Sequence, residues 1–154
     1  MIESAILTRD NLRRKNFKPD EFFQSSFASK LKINNTTDNI SILACLMLVA
    51  DKIQEVRDLL NKPIKITSAY RCLELNRALG SKDNSQHIQG QAIDFQCPEF
   101  GSPEQIVNFM KANNVIVDQC LIERSGSRHW VHLSITHNKN RNQYARLIDG
   151  KFTI

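Results

Sequence analysis

A chain of 154 residues, 41% hydrophobic and 24% charged, suits one globular domain that buries a core without staples. Its longest apolar run, Ile42 to Ala50, is nine residues, far short of the roughly 18 that read as a membrane span, so no membrane insertion is expected. The net charge is +5, but the basic clusters Arg13-Arg14-Lys15 and Lys139-Asn140-Arg141 neither interleave aromatics nor ride one helix. That pattern argues for solvated surface and against a nucleic-acid partner.

The opening stretch MIESAILTRDNLRRKN puts an acid early and its bases after a short apolar run. A secretory signal has the opposite order, so synthesis in the cytoplasm is expected, with action outside the cell requiring a separate exit route. Residues 1–37 read as one or two short helices and turns, with Pro19 and Asp20 at a helix start. The strongest helix spans 39–60: Ile42, Cys45/Leu46, Val49, Ile53, Val56 and Leu60 recur at three to four residues. Thr37 or Asp38 is its expected cap, and Asn61-Lys62-Pro63 its end. Ile64 to Thr67 alternates like a strand, 72–79 reads as a short helix stopped by Gly80, and Ala92 to Phe95 as a strand. Ser102-Pro103-Glu104-Gln105 opens a further helix through a capping box, with Ile106, Phe109 and Met110 inward. Strands are expected at about 115–123, 129–135 and 143–148, and Asp149-Gly150 is a two-residue hairpin turn into Lys151–Ile154. Helices first and hairpin-linked strands last make an α+β domain: N-terminal helices on a small, mainly antiparallel sheet, with no linker and no repeat.

The four cysteines, Cys45, Cys72, Cys97 and Cys120, form no C-x-x-C pair. They read as free thiols, with Cys45 and Cys120 buried and Cys97 a space-filler. The chemistry concentrates elsewhere. Three of the four histidines fall in two fragments, Ser85-Gln-His-Ile-Gln-Gly-Gln-Ala-Ile-Asp94 and His129-Trp-Val-His132. His87 and Asp94 converge if a loop carries the first, a strand the second, and Gly90 turns the chain between them. Imidazole and carboxylate are both ordinary zinc ligands, and three protein ligands leave a fourth position open. Spacing alone does not separate this from chance. His137, beside Asn138-Lys139-Asn140, reads as exposed.

The pattern S-x-H-x-x-G-x-A-x-D, then W-x-H, resembles the zinc D-alanyl-D-alanine carboxypeptidases and related peptidoglycan peptidases. That superfamily includes vancomycin-resistance D,D-dipeptidases, phage endolysins and the hedgehog signalling domain. Thr67–Arg71 resembles the family's strand-to-loop segment, with Arg71 sixteen residues before His87, and Asp118–Glu123 resembles the strand before the last ligand. The likeness covers about residues 17–136. It implies one zinc per chain held by His87, Asp94 and His132, and a peptidoglycan peptide substrate. Within that frame His129 and Arg71 are the expected catalytic residues, and Ser85, Tyr70, Gln119 and Glu123 the candidate substrate-binding ones. Tyr70 and Trp130 are candidates to wall the groove.

One departure stands out. Many relatives carry Glu three residues before the last ligand, where this chain has His129; a carboxypeptidase branch is similar in having His there. In a regular strand positions 129 and 132 point to opposite faces, so a catalytic His129 requires a loop or bulge. The resemblance implies a monomeric, endolysin-like peptidase, reaching the wall by a separate release route or carried in a virion. The alternatives are a carboxypeptidase trimming terminal D-Ala and a zinc-containing cell-wall binder without turnover.

Overall fold

The computed structural model describes residues 6–154, so the earliest part of the N-terminal reading lies outside the described residues. Two 3-10 turns, Arg9–Leu12 and Pro19–Phe22, lead into α1 (Ser26–Leu31), α2 (Ile40–Leu60), β1 (Lys65–Ser68) and α3 (Leu73–Ala78). Then come β2 (Ala92–Gln96), α4 (Pro103–Ala112), β3 (Gln119–Ser125), β4 (Arg128–Ser134), β5 (Gln143–Ile148) and β6 (Lys151–Thr153). The expected α+β domain is therefore present, with three short helical pieces at the N-terminus instead of one or two.

The strands form one sheet in the order β1-β2-β4-β3-β5-β6. Four of its neighbouring pairs are antiparallel and the β3–β5 pair is parallel. The parallel pair was not anticipated. It arises because the chain after β4 passes through residues 135–142 and re-enters beside β3. Asp118 anchors that crossover, its carboxylate accepting from the Arg141 backbone N–H and guanidinium.

α2 carries its apolar residues where the period requires. Leu43, Leu46, Val49, Ala50, Ile53, Val56 and Leu60 are buried, and they join one cluster with Ile93 and Phe95 of β2, Ile122 of β3, and Val131 and Leu133 of β4. Its cap is Asn39, whose side chain accepts from the Ile42 N–H, one or two positions after the expected Thr37 or Asp38. Thr37 instead caps the cap, accepting from the Asn39 N–H. Asn61 ends the helix in the left-handed conformation, φ 51°.

The Ser102–Gln105 capping box forms as read. Phe109, expected inward on α4, is exposed and lies against Phe100, while Val107 takes the inner position with Ile106 and Met110. Strand β3 begins at Gln119 rather than near 115. Residues 115–118 are irregular, although Val115 and Val117 are buried. Cys97 and Cys120 are buried, whereas Cys45 is only half-buried, and all four thiols are free. Asp149 (φ 48°) and Gly150 (φ 80°) make the hairpin turn from β5 to β6, both left-handed as a type I′ turn demands. One sheet face thus carries the core and α4, leaving the other to form a cleft.

Candidate metal centre

The register decides which side chains meet. Asp94 of β2 pairs with Ser68 of β1 on one side and His132 of β4 on the other. Paired residues share a face, so Asp94 and His132 project together into the cleft. The His132 Nδ1 lies 2.8 Å from one Asp94 oxygen, and the His87 Nε2 lies 3.3 Å from the other.

His87 comes from the turn-rich loop before β2. Gly90, at φ 73°, brings that loop against α2; a Cβ there would stand 2.8 Å from the Ile42 carbonyl oxygen. This is the left-handed turn and close approach that the sequence reserves for glycine. The His87 Nδ1 lies 2.6 Å from the Ala69 carbonyl oxygen. A carbonyl only accepts, so Nδ1 carries the proton and the Nε2 lone pair is left on the cluster side, free to ligate. The Arg71 N–H donates to the His87 carbonyl and the Ser85 Oγ accepts from the His87 N–H, so the two loops are tied together at the site.

His87, Asp94 and His132 are all nearly buried, and one ligand atom from each lies within 4.8 Å of the others. Tetrahedral zinc with bonds of about 2.0–2.2 Å sets its ligand atoms roughly 3.3 Å apart, so the donor types and their spacing fit that ion. Burial works to raise the Asp94 pKa, but the two imidazoles beside it, with His132 hydrogen-bonded to the carboxylate, outweigh it and hold the carboxyl well below its usual range. Burial pushes the His87 pKa down, keeping it neutral and able to ligate. Burial also opposes charge on His132, yet the Asp94 hydrogen bond and the neighbouring carboxylates prevail and raise its pKa.

Arg71 reaches the same carboxylate. Its Nη2 lies 3.3 Å from Asp94 Oδ2, its Nε donates to the Ser68 Oγ, and its Nη1 faces Asn76 and Ser81 at 3.4 Å. Four of its five N–H groups are thereby directed at protein, and one is left for a substrate. Neither Asn76 nor Ser81 was singled out from sequence; both sit in an ordinary polar helix-and-turn stretch.

Glu123 of β3 faces the cleft beside the cluster, 3.7 Å from the His132 Nδ1. Burial, followed by the Asp94 charge, pushes its pKa up to about 7. Trp130 pairs with it across the strands; its indole N–H approaches the Glu123 carboxyl but makes no well-directed hydrogen bond.

His129 is not brought to this cluster. β3 and β4 pair without a bulge from Gln119↔Ser134 to Ser125↔Arg128, so the strict alternation sends His129 to the opposite face from His132. Its Nε2 lies 3.2 Å from Glu104 Oε1 of α4, without hydrogen-bond alignment. The residue borders the cleft only where its carbonyl accepts from the Gln96 Nε2. Tyr70 is not on the cleft either: it is buried, edge-on to Phe23 with centroids 6.0 Å apart. Gln119 shares the cleft face but donates to Gln143 Oε1, away from the ligands. Ser85 does line the cleft, as does Trp130, and His137 is exposed as read.

The cleft is about 840 Å³ and runs from the start of α1, past Arg71 and the three ligands, to the β3–β4 hairpin. A family model described as peptidase M15 matches residues 15–134. The chain belongs to the peptidase M15 family. No curated protein matches it. Membership makes this M15 domain a peptidase of the zinc D-Ala-D-Ala carboxypeptidase-like kind, and the matched span contains every ligand candidate together with Arg71 and Glu123. Among the described residues no helix is long and apolar enough to cross a membrane.

Proposed function

We infer that this M15 domain is a zinc metallopeptidase that hydrolyses a D-amino-acid-containing peptide bond of bacterial peptidoglycan. The observation that carries the reading is the convergence of His87, Asp94 and His132 beside Glu123 in one open cleft. His87, Asp94 and His132 would hold a zinc ion, which would supply the Lewis acid that acidifies water and polarises the scissile carbonyl. Glu123 accepts the proton of the attacking water and returns it to the nitrogen of the departing amine as the C–N bond breaks. Its raised pKa suits both halves of that transfer. The general-base role assigned to His129 from sequence thus passes to Glu123, because only Glu123 shares the ligands' face.

Arg71 holds Asp94 in place and turns its one remaining N–H towards the developing oxyanion. A guanidinium so engaged offers no bidentate fork to a terminal carboxylate. With a cleft whose lining continues on both sides of the ligands, this favours cutting within a peptide, as an endolysin does, over trimming its terminal D-Ala. Action at the wall follows release by a separate pore protein or carriage in a virion, a route supported by the resemblance to single-domain phage members.

The test is digestion of purified peptidoglycan with metal analysis alongside. We expect about one zinc per chain and new amino termini within stem or bridge peptides. Release of free D-Ala alone would establish the carboxypeptidase instead. A zinc-loaded protein that binds peptidoglycan and never cleaves it would establish the non-catalytic binder. Asp94→Ala should lose the metal; Arg71→Ala should keep it while turnover falls.

A further inference from the structure

Two arginines line the cleft. Arg71 is committed to Asp94, whereas Arg128 has no ion-pair partner among the described residues. Arg128 opens β4, on the same face as Trp130 and His132, and its guanidinium carbon stands 5.7 Å from the centre of the Trp130 ring. A cation within about 6 Å of an indole face is held there by the ring's quadrupole, so the side chain is steadied although it is exposed. Its backbone is fixed as well. The turn Gly126-Ser127 joins Ser125 to its partner Arg128, and the Gly126 N–H donates to the Asp149 carboxylate at 2.9 Å. Ser125 and Ser127 bring two more hydroxyls to this end of the cleft.

We propose that Arg128, steadied on Trp130, binds a carboxylate of the substrate peptide and makes the enzyme selective for acidic over amidated peptides. This rests on the peptidase reading of the same cleft. Strand rise is about 3.3 Å per residue. Trp130 is two positions and Arg128 four positions before His132, so the guanidinium stands about 7 to 13 Å along the strand from that ligand. An extended peptide advances about as far in two to four residues. The carboxylate recognised is therefore about two to four residues from the bond that is cut. Arg128 touches neither the ligands nor the proton path, so it sets binding, not the chemical step.

The experiment uses two synthetic peptides with blocked ends and an internal D-amino-acid bond. They are identical except that one carries free side carboxylates at the residues two to four positions from that bond and the other their amides. Binding to the metal-free chain is measured by calorimetry, and hydrolysis by the zinc-loaded chain in parallel. We expect the acid to bind about 3- to 10-fold tighter than the amide, a preference that R128A abolishes, R128K keeps in part, and added salt weakens. R124A, an exposed arginine on the opposite face of β3, should leave it unchanged. In turnover the preference appears in KM with kcat unaltered. Equal binding of the two peptides by the wild-type chain, or a preference that survives in R128A, overturns the proposal. Acid preference lost in R128A with no hydrolysis by any variant supports Arg128's role and removes the peptidase reading instead.

Discussion

His129 and His132 lie three residues apart on one strand and have opposite fates. His132 faces the cleft, 2.8 Å from Asp94; His129 faces α4, beside Glu104. The two-residue period of a strand makes this separation unavoidable unless a bulge intervenes, and the β3–β4 ladder has none. In a motif whose ligand and base are counted along the chain, face outranks proximity. Glu123, nine residues before His132 in sequence, is the nearer neighbour in space because a hairpin folds it back onto the same face.

The comparison can be broken most directly at the two histidines. His132→Ala should lose zinc and more than about 10³-fold of peptide hydrolysis, because a ligand and its support for Asp94 go together. His129→Ala should keep its zinc and stay within about threefold of wild-type turnover, since Glu104 and not the cluster is its neighbour. Metal analysis and peptide cleavage on the pair decide it, and an equal loss in both would place His129 back in the chemistry. Next in size, Glu123→Gln should lower kcat about 10²- to 10⁴-fold with zinc retained, while Glu104→Gln on the other face leaves kcat alone.

Smaller effects test how the cleft face is supported from outside the sheet. Gly90→Ala meets both a left-handed backbone and the Ile42 carbonyl, so it should cost about 2 kcal/mol or more in denaturant unfolding, and the seat of His87 loosens with it. Asp118 accepts from Gln86, next to His87, and from Arg141. Hydrogen bonds from Arg141, opposed by burial and aided by Gln86, hold its carboxyl well below the usual range. A depressed folded pKa adds stability that is fully present above the unfolded value of about 3.9 and is lost as acid carries the pH below it. Asp118→Asn should therefore be less stable by about 2 kcal/mol at pH 7. The gap should close as the pH falls below about 4, as melting curves across that range would show.

The long helix was legible in the sequence because apolar spacing is a local, periodic rule, whereas His87, Asp94 and His132 were legible as a set only through the resemblance, their spacing alone being that of chance. Arg71 was legible through the resemblance, but its partners Ser68, Asn76 and Ser81 come from three segments whose composition is that of any polar turn. Phe109 was read inward on periodicity, whereas the core chose Val107. Which neighbour a helix packs against sets its inner face as much as its own spacing does. Glu123 was legible as a candidate substrate-binding residue but not as a base. Its raised pKa is a property of burial and of Asp94's charge, and neither exists until β3 lies beside β4.

The hydrogen bond from the Gly126 N–H to Asp149 joins the tips of two hairpins, one bounding the cleft and the other turning β5 into β6. Loop tips are ordinarily where a fold accepts insertions. Here a residue added to either turn would pull a donor or an acceptor out of register, so these two tips can change length only together. Asp149 and Gly150 lie beyond the matched span of 15–134, and variation there would be felt at the cleft wall.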